Sequence, residues 1–140
     1  MPQLGFALRA RRGDIPDSLK QAGRLGERHI ASLISLAIAG PATVSELAER
    51  LDMTAAHASL VVGELAKAGL VDRDHAEHDR RLIIVSLSDA AKPAVAHMRD
   101  RNAAPLRRFL SELDEDDADR FIGQLAKLVA YLRDERSPTD

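Results

Sequence analysis

The chain has 140 residues and 15.3 kDa, 45% of its residues are hydrophobic and none is cysteine; this suffices for one domain with its own core, and it excludes a disulfide framework, a thiol redox switch and a Cys-based zinc site. The formal net charge of −2 conceals an asymmetry: residues 1–30 hold six cations against three acids, and residues 41–90 hold five against nine, a net of −4. No apolar run approaches the ~20 residues of a membrane span and no apolar signal core follows the basic N-terminal residues, so a soluble cytoplasmic protein with no membrane partner is expected.

Leu4, Phe6 and Leu8 are the first apolar positions, and clear helical periodicity begins after them. Over residues 25–39, Ile30, Leu33, Ile34 and Ala37 share one face of a helix that Gly40-Pro41 must end. Val44, Leu47, Ala48 and Leu51 repeat the pattern behind Thr43, which with Glu46 three residues on forms a capping box. Only Leu51 to Met53 separate this helix from the next, so the turn between them is sharp. Thr54 caps that second helix, Ala58, Val61, Val62 and Leu65 make its apolar stripe, and Gly69 stands where a left-handed C-cap belongs.

Two apolar, β-branched-rich runs follow, Leu70 to Arg73 and Leu82 to Leu87, separated by the polar segment Asp74 to Arg81. They predict two antiparallel strands with a flexible tip. Ser88 and Asp89 open a long helix carrying Val95, Met98, Leu106, Phe109 and Leu110, with Pro93 and Pro105 expected to bend or interrupt it. Asp114 caps a last helix, with Glu115, Asp116 and Asp117 at the positive end of its dipole and Phe121, Leu125, Leu128 and Leu132 in a stripe. The fold class expected is mainly α with a small two-stranded wing.

The order GP, TVSELAERL, a capped helix, AGLV and HDRRLIIVSLS resembles the MarR family of bacterial transcriptional regulators, from about Leu25 to Arg133. The resemblance implies a single domain over 1–140: a winged helix-turn-helix lobe at about 41–88, flanked by dimerisation helices at about 1–30 and 89–136. It implies a homodimer, which accounts for apolar stripes in surplus of one monomer core. Two-fold symmetry sets two recognition helices ~34 Å apart and calls for a pseudopalindromic operator in double-stranded DNA.

Helical geometry selects the residues that face this DNA. With Ala58, Val61, Val62 and Leu65 inward, Ala56, Leu60, Gly63 and Lys67 lie opposite, with His57, Ser59 and Glu64 on the flanks and Thr54 at the helix start. Family members commonly carry an Arg where this chain has Leu60, and hydroxyls or basic residues where it has Ala55, Ala56 and His57, so base-specific hydrogen bonding is poorly provided for. Asp79, Arg80 and Arg81 match the family's D-x-R wing pattern, which implies that Arg81 enters the minor groove and Asp79 braces it. Narrow, A·T-rich grooves suit such an Arg.

His75 and His78 stand three apart beside Glu77 and Asp79, but an H-x-x-H pair at a wing tip forms no closed tetrahedral set, and no metal is expected. His29 and His97 are candidates for interior positions near the junction of the long helices with the DNA-binding lobe, where MarR-like proteins often bind small effectors; a structural, hydrogen-bonded role is the simpler reading of each. There is no nucleophile elbow, P-loop, dinucleotide fingerprint or H-E-x-x-H, so neither catalysis nor a cofactor is expected. The function expected is a dimeric, sequence-specific DNA-binding regulator, a repressor in most of the family, responsive to a small-molecule effector. The rival from another class is a winged-helix dimer that binds DNA weakly or not at all and uses the apolar face around Leu60 and Gly63 for protein contact.

Overall fold

The computed structural model describes Leu19 and residues 25–134. Leu4, Phe6 and Leu8 lie outside the described residues. Within these limits the chain is mainly helical, with α1 Glu27–Ala39, α2 Val44–Arg50, α3 Ala55–Lys67, α4 Lys92–Ser111 and α5 Glu115–Asp134, and strands β1 Ala42–Thr43, β2 Val71–His75 and β3 Ile83–Leu87. The strands form one antiparallel sheet in the order β1-β3-β2.

The third strand corrects the two-stranded expectation. Ala42 and Thr43 pair with Val85 and Ile84 before the chain turns into α2. A strand of two residues, Ala42 and the helix-capping Thr43, directly after the helix-ending Gly40-Pro41, carries no alternating pattern, so only the register of β3 reveals it. The hairpin is also tighter at its tip than expected, with pairing from Val71↔Leu87 to His75↔Ile83.

Local chemistry sets the helix ends. Gly40 ends α1 with φ 80°, and its N–H donates to Leu36 O. Thr43 Oγ1 accepts from Glu46 N at 3.1 Å while Glu46 Oε2 accepts from Thr43 N at 2.8 Å, both halves of a capping box. After α3, Gly69 at φ 73° donates to Ala66 O, and Leu70 N donates to Leu65 O at 3.0 Å, which is a Schellman motif. In α4, Pro93 sits in the first turn, where a missing N–H costs nothing, and the helix continues through Pro105 instead of breaking there. The helix begins at Lys92 and not at Ser88, whose Oγ accepts from Ala91 N at 3.2 Å.

The chain divides into two compact units between Asn102 and Ala103. The core of the first gathers Leu33 and Leu36 of α1, Leu47 of α2, Val61, Val62 and Leu65 of α3, Val71 and Val85 of the sheet, and Val95 and Met98 of α4. Fully burying each large apolar side chain contributes about 1.5–3 kcal/mol. Ser32 is buried with its hydroxyl donating to Arg28 O at 2.8 Å, so the core accepts it without an orphaned polar group. In the second unit, Phe109 and Phe121 meet with ring centroids 4.9 Å apart, and Asp114 Oδ1 accepts from Asp117 N at the start of α5. No residue of α5 is buried, and Ile122, Leu125, Leu128, Val129, Tyr131 and Leu132 are all exposed.

Gly69 tests the joint between helix and wing. A Cβ at this position would meet nothing within 4 Å, so a substitution acts through the backbone alone. Gly69→Ala should cost about 1–2 kcal/mol, the penalty of a left-handed L-residue, in urea denaturation. An unchanged midpoint would show that the motif tolerates a side chain freely.

Candidate nucleic-acid interface

The turn between α2 and α3 is built from backbone geometry. Asp52 adopts φ 52°, and it is among the described non-glycine residues the one with positive φ. Asp is one of the few side chains that tolerate this region. Its N–H donates to Glu49 O, and Met53 N donates to Ala48 O at 2.9 Å, closing α2. From α1, Arg28 Nη1 donates to Leu51 O at 2.7 Å. The carbonyl at the end of α2 is thus held by a charged donor from the preceding helix.

Thr54 then starts α3, its Oγ1 accepting from His57 N at 3.2 Å. Ala58, Val61, Val62 and Leu65 are buried, while Ala56, His57, Ser59, Leu60 and Lys67 are exposed and Gly63 is half-buried. Leu60 keeps 60% of its surface in water and is, among the described residues, the one large apolar side chain exposed on α3. Glu64, on the flank, is engaged by His29 of α1: His29 Nε2 lies 2.5 Å from Glu64 Oε2. Gly26 N donates to His29 Nδ1 at 3.1 Å, so the ring proton sits on Nε2 and Glu64 accepts it.

At the wing, Ala76 N donates to Leu82 O and Leu82 N to Asp79 O, which fold the tip over itself. Asp79 Oδ1 accepts from Arg81 N at 3.0 Å and from Arg81 Nε at 3.2 Å. The brace leaves Arg81 92% exposed. These bonds, the backbone one first, hold the Asp79 carboxyl below its ordinary value. Arg80 is exposed beside it, as are Leu82 and Ile83 at the base of the tip.

His97 departs from expectation. It is exposed on α4, while its neighbour Met98 is buried. His29 does occupy a half-buried site, but it faces the recognition helix through Glu64. Among the described residues no group of three His, Asp or Glu stands close enough to hold a metal ion, and no helix is long and apolar enough to cross a membrane. The sequence reading missed Arg28, the His29–Glu64 pair and the placement of Arg73, which lines an open groove beside α3 with Leu60, Gly63 and Lys67. Each is a contact between elements distant in the chain; only the alternation of Val71 with Arg73 along β2 offered a signal.

A helix, a four-residue turn, a second helix with an exposed outer face and a hairpin with a braced Arg together define a winged helix-turn-helix. Residues 25–83 match the family model described as the MarR family. The HTH-type transcriptional repressor MdtR of Bacillus subtilis is 33% identical over 85 residues, covering 61% of this chain and 55% of MdtR. YfiV, an uncharacterized HTH-type transcriptional regulator of the same organism, is 26% identical over 105 residues, 75% of this chain and 64% of YfiV. The chain thus spans less than two thirds of the length of these curated relatives. Streptococcus pneumoniae FabT, whose crystal structure is of a complex with DNA, shares the fold with a TM-score of 0.67 at 15% identity, over 96% of this chain and 99% of FabT.

Gly63 and Asp79 yield tests. A Cβ on Gly63 meets nothing within 4 Å, so Gly63→Ala should stabilise the fold by about 0.5–1 kcal/mol through helix propensity. If duplex binding weakens in the same variant, the glycine serves close approach; binding that rises or holds with stability would remove that role. Because the folded pKa of Asp79 is depressed, the contribution of its brace is present above 3.8 and is lost as pH falls through the folded value. An NMR titration should find the carboxyl below 3.8 in the wild type and shifted only partway back in Arg81→Ala, whose main-chain N–H remains.

Proposed function

We propose that the protein is a dimeric, cytoplasmic, sequence-specific DNA-binding transcriptional regulator that acts as a repressor and answers to a small-molecule effector. The observation that carries this reading is the exposed outer face of α3 beside a wing whose Arg81 is pre-oriented by Asp79 yet open to solvent. In the proposed complex Thr54, Ala56, His57, Ser59, Leu60, Gly63 and Lys67 meet the major groove. Leu60 and Ala56 read thymine methyl groups by apolar contact in place of bidentate hydrogen bonds. Arg81 enters the minor groove with Arg80 at the adjacent backbone, and Asp79 fixes the guanidinium.

Supporting the DNA partner are the family match and the fold shared with FabT; supporting repression is the name borne by MdtR. Supporting a homodimer, with helices at about 1–30 and 89–136 in the interface, is the apolar face of α5, which includes Leu125, Leu128 and Leu132 and is exposed in the single chain. An effector that binds two arrangements of the paired lobes unequally would shift DNA occupancy by its differential affinity.

Selection from random duplex DNA, followed by titration at several salt concentrations, tests the reading. Arg81→Ala should lose on the order of 1–3 kcal/mol of binding, and Asp79→Ala less, since the Arg remains but is less ordered. Equal affinity of wild type and Arg81→Ala would remove the wing from the mechanism. A wild type that binds no duplex would favour the protein-contact alternative, for which the exposed Leu60 in a lobe of net charge −4 would then speak. Light scattering at micromolar concentration should give about twice 15.3 kDa, and a monomer would refute the assembly.

A further inference from the structure

The sheet places one cation where strand alternation would put an apolar residue. In the β2–β3 ladder Val71 pairs with Leu87 and Arg73 with Val85, and residues two apart on a strand share a face. Arg73 therefore stands on the face of the buried Val71 and Val85, which packs on the helices, while Asp72 and Asp74 take the opposite face. Beyond the end of α3's buried stripe its side chain reaches an open groove of about 620 Å³. Ser59, Leu60, Gly63, Glu64 and Lys67 of α3 line the other side.

We propose that Arg73 and Lys67 form a phosphate clamp in this groove, extending the DNA interface to a backbone segment that flanks the bases under Leu60. The inference rests on the proposed function. Its occupant is the phosphodiester backbone of duplex DNA because the groove is an open trough with two of the lobe's five cations on its walls. An arginine fork and a lysine point charge are the side chains that hold phosphate, and phosphate contacts fix the register of a recognition helix.

The groove has one carboxylate, that of Glu64, which would repel a phosphate. The structure provides for it. His29, its side chain only 14% exposed, donates from Nε2 to Glu64 Oε2 and so ties the acid to α1. Because Gly26 N–H occupies Nδ1, the ring cannot present its acceptor nitrogen to Glu64 without losing that bond. His29 is thus a positioning residue that holds a carboxylate in place beside the clamp.

The test uses the full chain, a duplex recovered by selection on the wild type, and an unrelated duplex of equal length. Arg73→Gln and Lys67→Gln should each weaken binding roughly fivefold at ~0.15 M salt, the factor that follows from a slope of ~0.9 per phosphate contact. The salt slope should fall by the same ~0.9, and the loss should be equal on both duplexes, because phosphate carries no sequence. Arg73→Lys should recover most of the affinity. His29→Ala should weaken binding, and adding Glu64→Gln should restore it; a purely structural role for His29 predicts a loss that Glu64→Gln does not repair. An Arg73→Gln protein with wild-type affinity and slope overturns the clamp, and if that variant also self-associates, Arg73 instead guards an edge strand against pairing. A wild type that binds neither duplex overturns the proposed function and the clamp with it.

Discussion

Everything that positions the candidate interface passes through the joint at Gly69-Leu70. Leu70 N–H closes α3 on Leu65 O, and Leu70 O accepts from Ser88 N at 3.1 Å. Gly69 O accepts from Ser88 Oγ at 2.8 Å, and Ser88 Oγ in turn accepts from Ala91 N just before α4 begins. One dipeptide and one buried serine therefore tie recognition helix, both long strands and the start of α4 into one arrangement. A left-handed residue is required where the chain reverses, which is why Gly stands at position 69 and why Leu70, turned inward by that reversal, joins the core. The angle between helix and wing is then a property of buried, hydrogen-bonded structure and not of an exposed loop.

Against this rigid joint, the exposed ion pairs act by orientation. Asp79 and Arg81 are both in contact with solvent, and a surface pair of this kind contributes little to folding. What it changes is the entropy of a long side chain: an Arg whose Nε and Nη2 already donate to the two oxygens of one carboxylate has fewer conformations to lose on binding. The His29–Glu64 pair follows the same logic from the protein's interior side. It is half-buried at the His end, and it connects α1 to the recognition helix directly.

The local grammar of the chain was readable without coordinates. Thr43, Thr54 and Asp114 cap as their side chains and spacing dictate, Gly69 terminates as predicted, and the stripe Ala58-Val61-Val62-Leu65 is buried. Those features depend on residues within one or two turns of each other. What escaped depends on partners far along the chain: β1 exists only because β3 offers it an edge, Arg28 is useful only because Leu51 O ends a helix 23 residues later, and His29 meets Glu64 across 35 residues. His97 was misplaced for a related reason. Adjacent helical positions point ~100° apart, and which of His97 and Met98 turns inward is decided by packing on α4, which buries Met98 and leaves His97 exposed.

For the proposed sequence-specific regulator, which would have to find one duplex site among many, an acidic lobe has a consequence. Non-specific affinity comes from phosphate neutralisation, and five cations against nine acids supply little of it. In the proposed complex the few cations therefore count most where they are fixed: Arg81 by its brace, and Lys67 and Arg73 on opposite walls of one groove. The apolar outer face of α3 adds contact only where a complementary thymine methyl waits and repays nothing elsewhere. Low background binding combined with a small number of positioned contacts raises the ratio of specific to non-specific affinity even when the specific affinity is modest, and that ratio, weighted by the number of competing sites, sets occupancy. Such an interface is also sensitive to small rotations of the lobe. In the proposed dimer, without a broad positive field to hold the duplex through misalignment, a change in the spacing of the two lobes would release it, so weak electrostatics and the proposed response to an effector would arise from one surface.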